Sequence, residues 1–345
     1  FPGGELVTGR GHQGHLGAGR LTETTMLSRT ADNLYWMARY MERAENIARI
    51  LDVNHRMSMM PQSDVQAEQA WGATLRIMGL EKSFHKAHAE VNADAVLDFM
   101  IFSADNPTSI RSCLRLAREN AHAVRGTLTS ELWETTNSTW LKMRDFNSDK
   151  LYDQGVSSFF EWVKFRSHLS RGVTLGTMLQ DEALRFIRIG TFLERADNTL
   201  RTLDVKYQLL LPAGEVEGGA ADFYQWSALL RSVSAFEVYR KVYRDHITPS
   251  RVAEMMLLRV DMPRSLARCM KEVYNNLRAV SNSLSAETER RAGLMEAMTR
   301  FGKIDDIVRD GLHNYVVESL AQIQDLGGRI ADDFLVPVSP KEEAA

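Results

Sequence analysis

Residues 39–53 read RYMERAENIARILDV, and residues 191–205 read TFLERADNTLRTLDV. Eight of the fifteen positions are identical, and five of the eight are polar: Glu42/Glu194, Arg43/Arg195, Asn46/Asn198, Arg49/Arg201 and Asp52/Asp204. Between them Tyr40 has become Phe192, Met41 Leu193 and Ile47 Thr199. Solvated residues behave the other way round. Substituting them usually changes stability by less than about 0.5 kcal/mol, so they drift between copies.

The likeness extends outward in register. With Glu42 on Glu194 the offset is 152 residues; WGATLR at 71–76 then meets WSALLR at 226–231 at an offset of 155. DNPTSIRSCL at 105–114 meets DMPRSLARCM at 261–270 at 156. The growth in offset falls in the linker, where RMSMMPQSDVQAEQ becomes QLLLPAGEVEGGAADFYQ. Three matches in one order argue for an internal duplication, with halves at about 27–175 and 180–335. Cys113 and Cys269 are equivalent positions under this alignment, and two small buried residues explain such a pair better than a redox couple.

Periodicity makes the chain helical nearly throughout. Met37, Tyr40, Ala44, Ile47 and Leu51 form one apolar stripe, and Phe186, Gly190, Leu193, Ala196, Leu200 and Leu203 form its counterpart. Asp105–Pro107 and Asp261–Pro263 read as starts of two further helices of some 25 residues each. Breakers at 58–64, 211–219 and 246–250 mark loops. Alternating β-branched runs are missing. The fold expected is all-α, a large bundle of about ten helices in two related halves.

At 100° per residue Glu42, Glu45, Arg49 and Asp52 make a second stripe, roughly opposite the apolar one. As a solvated face it would be laced by i, i+4 pairs such as Glu45 with Arg49, each worth about 0.2–0.5 kcal/mol. Tyr35, Ile50 and Val53 on its flanks argue instead that the helix is buried on most sides. Buried charges need partners. The expectation is therefore a buried polar network of Glu42, Arg43, Asn46, Arg49 and Asp52 with Glu194, Arg195, Asn198, Arg201 and Asp204. Whether it binds a ligand or only fixes the packing of the halves stays open at this point.

The two ER segments, in LSRTADNLYWMARYMERAENIARIL and FLERADNTLRTLDVKY, resemble the Alpha-E family of bacterial proteins. DNPTSIRSCLRLAREN and QWSALLRSVSAFEVYRKVY resemble its other blocks, so the likeness runs from residue 26 to about 335. It implies an all-α cytoplasmic protein without an established activity. It also implies genes beside a circularly permuted ATP-grasp ligase and a transglutaminase-like peptidase, hence a role in peptide synthesis or modification. Only the ER motif carries over as residues: Glu42 and Arg43, Glu194 and Arg195. On this basis the chain is expected to be a binding or scaffold component. The alternative is an enzyme with a Glu/Arg/Asp acid–base site between the halves.

Other constellations are weaker. Arg111, Arg115 and Arg118 share a helix face and could grip an anion, as could Arg264, Arg268 and Lys271 in the second copy. Pairing with Glu119, Asp105 or the ER glutamates would satisfy them as well. No metal or cofactor is expected. The nearest approach to a Glu-x-x-His ligand pair is Asp52-Val-Asn-His55, and its counterpart Asp204-Val-Lys-Tyr207 has lost the histidine. His85 and His88 read as a solvated pair. Phosphate-binding glycine loops and nucleophile elbows are missing, so any ATP chemistry would belong to another polypeptide.

The net charge of −3 gives no bulk basic field to draw nucleic acid. Arginine nonetheless outnumbers lysine 32 to 10, which suits bidentate anion binding, or simply a genome rich in G and C. No apolar run reaches the ~20 residues of a membrane span. Two cysteines in 345 residues suggest a reducing compartment. Residues 1–25, with seven glycines, and 336–345 are expected to be a disordered leader and a flexible tail.

Overall fold

A computed structural model describes residues 26–59, 63–210 and 220–335; the expected leader and tail lie outside the described residues. Among the described residues there are sixteen helices and no strand. The first eight are α1 (Ser28–Ser58), α2 (Asp64–Met78), α3 (Glu81–Phe84), α4 (Ala93–Ile101), α5 (Ile110–Ala123), α6 (Ser130–Arg144), α7 (Ser148–Gln154) and α8 (Val156–Thr177). The next eight are α9 (Glu182–Leu210), α10 (Ala220–Ser232), α11 (Phe236–Tyr243), α12 (Pro249–Leu257), α13 (Leu266–Ala279), α14 (Ala286–Phe301), α15 (Ile304–Asp310) and α16 (Leu312–Phe334).

The expected ten helices are thus sixteen, because helices of four to nine residues such as α3, α4, α7, α12 and α15 are too short to show a period. Lengths run in parallel between the two series: 31 and 29 residues in α1 and α9, 14 in both α5 and α13, 22 and 23 in α8 and α16. The 25-residue helices expected after the Asp–Pro pairs are shorter and start later. Ser109 and Ser265 are the N-caps, each hydroxyl accepting the backbone N–H three residues on, and the prolines sit in the turns before them. Serine wins the cap because its short side chain reaches that N–H directly.

The ER helices α1 and α9 pack along each other at the centre. In the first series α5 and α8 lie on α1; in the second α13 and α16 lie on α9. The helices that follow the pair cross over, α2 onto α9 and α10 onto α1. Gly190 permits the close approach of the central pair. A Cβ there would meet the Tyr35 carbonyl carbon at 3.1 Å, and the oxygen closer still. Trp71 and Trp226 are both fully buried, as are Cys113 and Cys269. Since α1 and α9 are covered on nearly every side, the polar stripe they carry is enclosed.

Candidate ligand site between the motif helices

Glu42 is 1% exposed, Glu45 0% and Glu194 5%, so the stripe that a surface helix would turn to water is core. The motif pairs are exchanged between the two helices. Arg195 reaches Glu42 with two parallel bonds, Nε to Oε1 at 2.9 Å and Nη2 to Oε2 at 2.8 Å. Arg43 reaches Glu194 in the same way, at 2.6 and 2.9 Å. Each glutamate therefore takes its bidentate arginine from the other helix. Such forked pairs are the strong form of charge-assisted hydrogen bond.

The surroundings of the two forks differ. Glu194 receives one more guanidinium, Arg39 Nε at 2.8 Å. Burial alone would raise its pKa, but Arg39 and Arg43 outweigh burial and hold it at about 2. Glu42 and Glu45 share a larger cluster. Arg264, from the turn before α13, donates to Glu42 Oε1 at 2.9 Å, to Asn46 Oδ1 at 2.8 Å and to Glu45 Oε1 at 2.5 Å. Arg171 of α8 donates to Glu42 Oε2 at 3.1 Å and also to Glu45 Oε2, which accepts the Ser167 hydroxyl at 2.6 Å. Arg49 completes Glu45 with Nε at 2.8 Å.

Two carboxylates thus face four guanidiniums, those of Arg49, Arg171, Arg195 and Arg264. Burial opposes the ionised form of both acids, yet Arg195 and Arg264 hold Glu42 below the usual carboxylate range, and Arg264, Arg171 and Arg49 hold Glu45 well below it. Arg264 is itself buried. Burial pulls this guanidinium below its usual range against the opposing pull of Glu45 and Glu42, and Arg195 and Arg49 add to the depression. His168 lies at the outer edge, 3.1 Å from Arg49 and 3.2 Å from Arg171. Its pKa is lowered by burial, and the neighbouring arginines add to this against the pull of Glu45.

A cavity of about 260 Å³ opens beside the cluster between α1, α8 and α9. Its walls are Met37, Ala38, Met41, Leu184, Ile187 and Phe192, and Glu42, Arg171, Arg188, Arg195 and Arg268 line it with charge. Phe192 is flanked by two guanidiniums, Arg195 at 5.0 Å and Arg188 at 5.9 Å from the ring centroid. Arg188 donates to Glu272 Oε2 at 2.5 Å, and Arg268 pairs with Oε1 of the same carboxylate at 2.7 Å. The Nε of Arg188 is enclosed without a partner among the described residues.

Of the residues expected in the network, Glu42, Arg43, Glu194 and Arg195 meet between the helices; Asn46 joins them through Arg264, and Arg49 through Glu45 of its own helix. Arg201 closes instead on Asp197 of its own helix at 2.7 Å. Asp52 lies further along α1 and takes Lys164 at 2.8 Å and Arg56 at 2.9 Å, and Asp204 meets His313 at 2.6 Å. Asn198 is buried alongside them on α9. The Arg111, Arg115 and Arg118 face takes no part. Arg111 donates to the Phe146 carbonyl at 2.6 Å, Arg115 to Glu119 at 2.8 Å and Arg118 to Asn137 at 3.1 Å. Of the corresponding set later in the chain, Arg264 and Arg268 do reach the site, though Arg264 precedes α13 rather than sharing its face.

Sequence reasoning missed Arg39, Arg171, Ser167 and Arg188. Arg39 opens the quoted stretch but has Thr191 as its counterpart, so the identity test passed over it. Arg171 and Ser167 belong to a helix without a repeated motif. Among the described residues no group of three His, Cys, Asp or Glu is placed to hold a metal ion. No helix there is long and apolar enough to cross a membrane.

The exchange of Glu and Arg between α1 and α9 gives the ER motif its structural meaning, and a family defined by that motif matches the chain. Alpha-E, described as a predicted alpha-helical domain with a conserved ER motif, matches residues 26–335. The chain belongs to the Alpha-E family. Mycobacterial relatives include the uncharacterized protein Rv2567 of Mycobacterium tuberculosis H37Rv and the uncharacterized protein Mb2597 of Mycobacterium bovis. Each is 25% identical over 317 residues, 86% of this chain and 35% of the relative. The chain thus spans about a third of the length of these relatives. No solved structure matches it significantly.

Proposed function

We propose that this Alpha-E protein is a binding component that holds an anionic small molecule or chain end in the cavity beside the ER cluster. One observation carries this reading: two buried carboxylates are faced by four guanidiniums next to a cavity with apolar walls. A network that only fixed the packing would reach balance between its charges, because surplus buried charge is costly. An anion in the cavity would offset the surplus. The acid–base alternative is less well supported, since Glu42 and Glu45 are held as carboxylates rather than poised near neutral pH.

In this proposal the bound anion is an intermediate or substrate of peptide synthesis or modification. It would be handled together with a circularly permuted ATP-grasp ligase, and a transglutaminase-like peptidase would be a second partner. Both partners rest on the family resemblance. The test is affinity purification of the tagged chain from its source organism under low salt, with mass spectrometry of the proteins and of small molecules released on denaturation. Co-elution of the ligase with an anionic compound is expected. Recovery of the chain alone, with nothing released, would contradict the reading.

A further inference from the structure

The α1–α9 pair is flanked by two clefts in corresponding places. One is the cavity against α8. The other lies against α16 and is lined by Trp36, Arg39, Leu193, Ile323 and Gly327 among others. Two registers relate them: the ER motif at 152 residues, and the left-handed glycines Gly155 and Gly311, 156 residues apart, each of which opens the last long helix of its series.

In those registers the clefts differ where polarity is carried. Ser167, Ser170, Arg171 and Thr174 of α8 stand where α16 has Ile323, Leu326, Gly327 and Ile330. On the central helices Arg188 stands where the first copy has Trp36, and Thr191 where it has Arg39. Trp36 and Arg39 line a cleft that is no smaller, at about 320 Å³, but its lining charges, Arg39 and Asp197, balance, and the Arg39 guanidinium lies 5.0 Å over the Trp36 ring and donates to Glu194. Thr191 is short, turns back to the Ile187 carbonyl at 2.9 Å and lines the α8 cavity. Glu42 takes its further guanidiniums from Arg171 of α8 and from Arg264.

We infer that the α8 cleft alone is a ligand site, and that its ligand is a carboxylate attached to a small apolar group. The inference rests on the anion-binding reading above and names the class of anion. Arg188 and Arg268 share the single carboxylate of Glu272, which leaves one positive charge over at that wall and suits a monoanion. The Arg188 side chain lines the cavity, and a guanidinium fits the planar carboxylate. Met37, Met41, Leu184 and Phe192 provide the surface for the apolar part. At about 260 Å³ the cavity lies just below the ~300–1,000 Å³ of small-molecule sites, so it admits a small acid or the last residue of a peptide rather than a folded partner.

Isothermal titration calorimetry on the full chain tests this with N-acetyl-leucine, its amide, 4-methylpentanoate and inorganic phosphate. Binding of N-acetyl-leucine at one site per chain is expected, with the amide at least tenfold weaker. Arg188→Gln should weaken binding at least tenfold. Thr191→Arg, which copies the first-series residue into the cleft, should abolish it with the fold intact by circular dichroism. Ile323→Ala in the opposite cleft should leave the affinity as it is. Equal binding of N-acetyl-leucine and 4-methylpentanoate supports a free acid as the ligand, and a tenfold preference for N-acetyl-leucine supports a peptide end. Two sites per chain, equal affinity for acid and amide, or an unchanged affinity in Arg188→Gln overturns the inference. Phosphate binding without carboxylate binding overturns the carboxylate class but leaves the anion-binding reading standing, and failure of all four probes overturns both.

Discussion

Replacing Glu42 with alanine removes the acceptor at the centre of the cluster. Arg195 loses both of its forked bonds, and Arg264 and Arg171 lose one each. Glu45 is then left as the acceptor for Arg49, Arg171 and Arg264, with Arg195 unpaired beside it. Breaking a buried pair by deleting one partner costs about 3–5 kcal/mol, because the other charge is left enclosed and unmatched. Three guanidiniums are deprived here, so the upper end of that range is expected. Arg171 is 28% exposed and can relax toward water, which limits the loss. Glu194→Ala breaks pairs with Arg39 and Arg43, themselves 17% and 20% exposed, so its cost should fall below that of Glu42→Ala. Urea denaturation of both variants measures the difference, read from the midpoint with an unchanged slope. A Glu42→Ala loss under 1 kcal/mol, the size of an exposed pair, would refute the idea of a buried, mutually dependent cluster.

Other outcomes follow from single features. The Glu194 carboxyl, held at about 2, contributes stability above the ordinary carboxylate range, and that stability is lost as pH falls from about 5 toward 2. The contribution is about 3 kcal/mol by linkage, and acid titrations followed by circular dichroism should show a shallower loss in Glu194→Gln. Gly190→Ala should cost about 1–3 kcal/mol by pushing α9 off the Tyr35 carbonyl; denaturation at the wild-type level would contradict the tight crossing. Cys113 and Cys269 are buried and their thiols are pushed up to about 12, so both should resist a thiol reagent at pH 8 until the chain is unfolded.

Much of the architecture was legible because helical period and repeat register are local properties of the sequence. The burial of Glu42 and Glu194 was legible for a different reason: residues that stay fixed while Met41 and Leu193 exchange are under a constraint that water does not impose. We read the paired helix lengths and crossed packing as the trace of duplication. What escaped the sequence was the departure from symmetry. Arg39, Arg171 and Arg188 each stand opposite a residue of another kind: Thr191, Gly327 and Trp36. A search for matching residues discards such positions, yet they decide which cleft carries the surplus of positive charge. The Arg111 face is regular in its helical spacing, but Arg111, Arg115 and Arg118 each donate to a local acceptor, on Phe146, Glu119 and Asn137, and lie apart from the cluster.

The most direct measurement is a crystal structure of the protein with p-bromobenzoate, whose bromine can be located by anomalous scattering. A ligand-holding cluster predicts one molecule per chain in the cleft between α1, α8 and α9, its carboxylate on Arg188 and its ring against Met37, Met41 and Phe192. An empty α8 cleft, or bromine beside Trp36 and Arg39 instead, would contradict it.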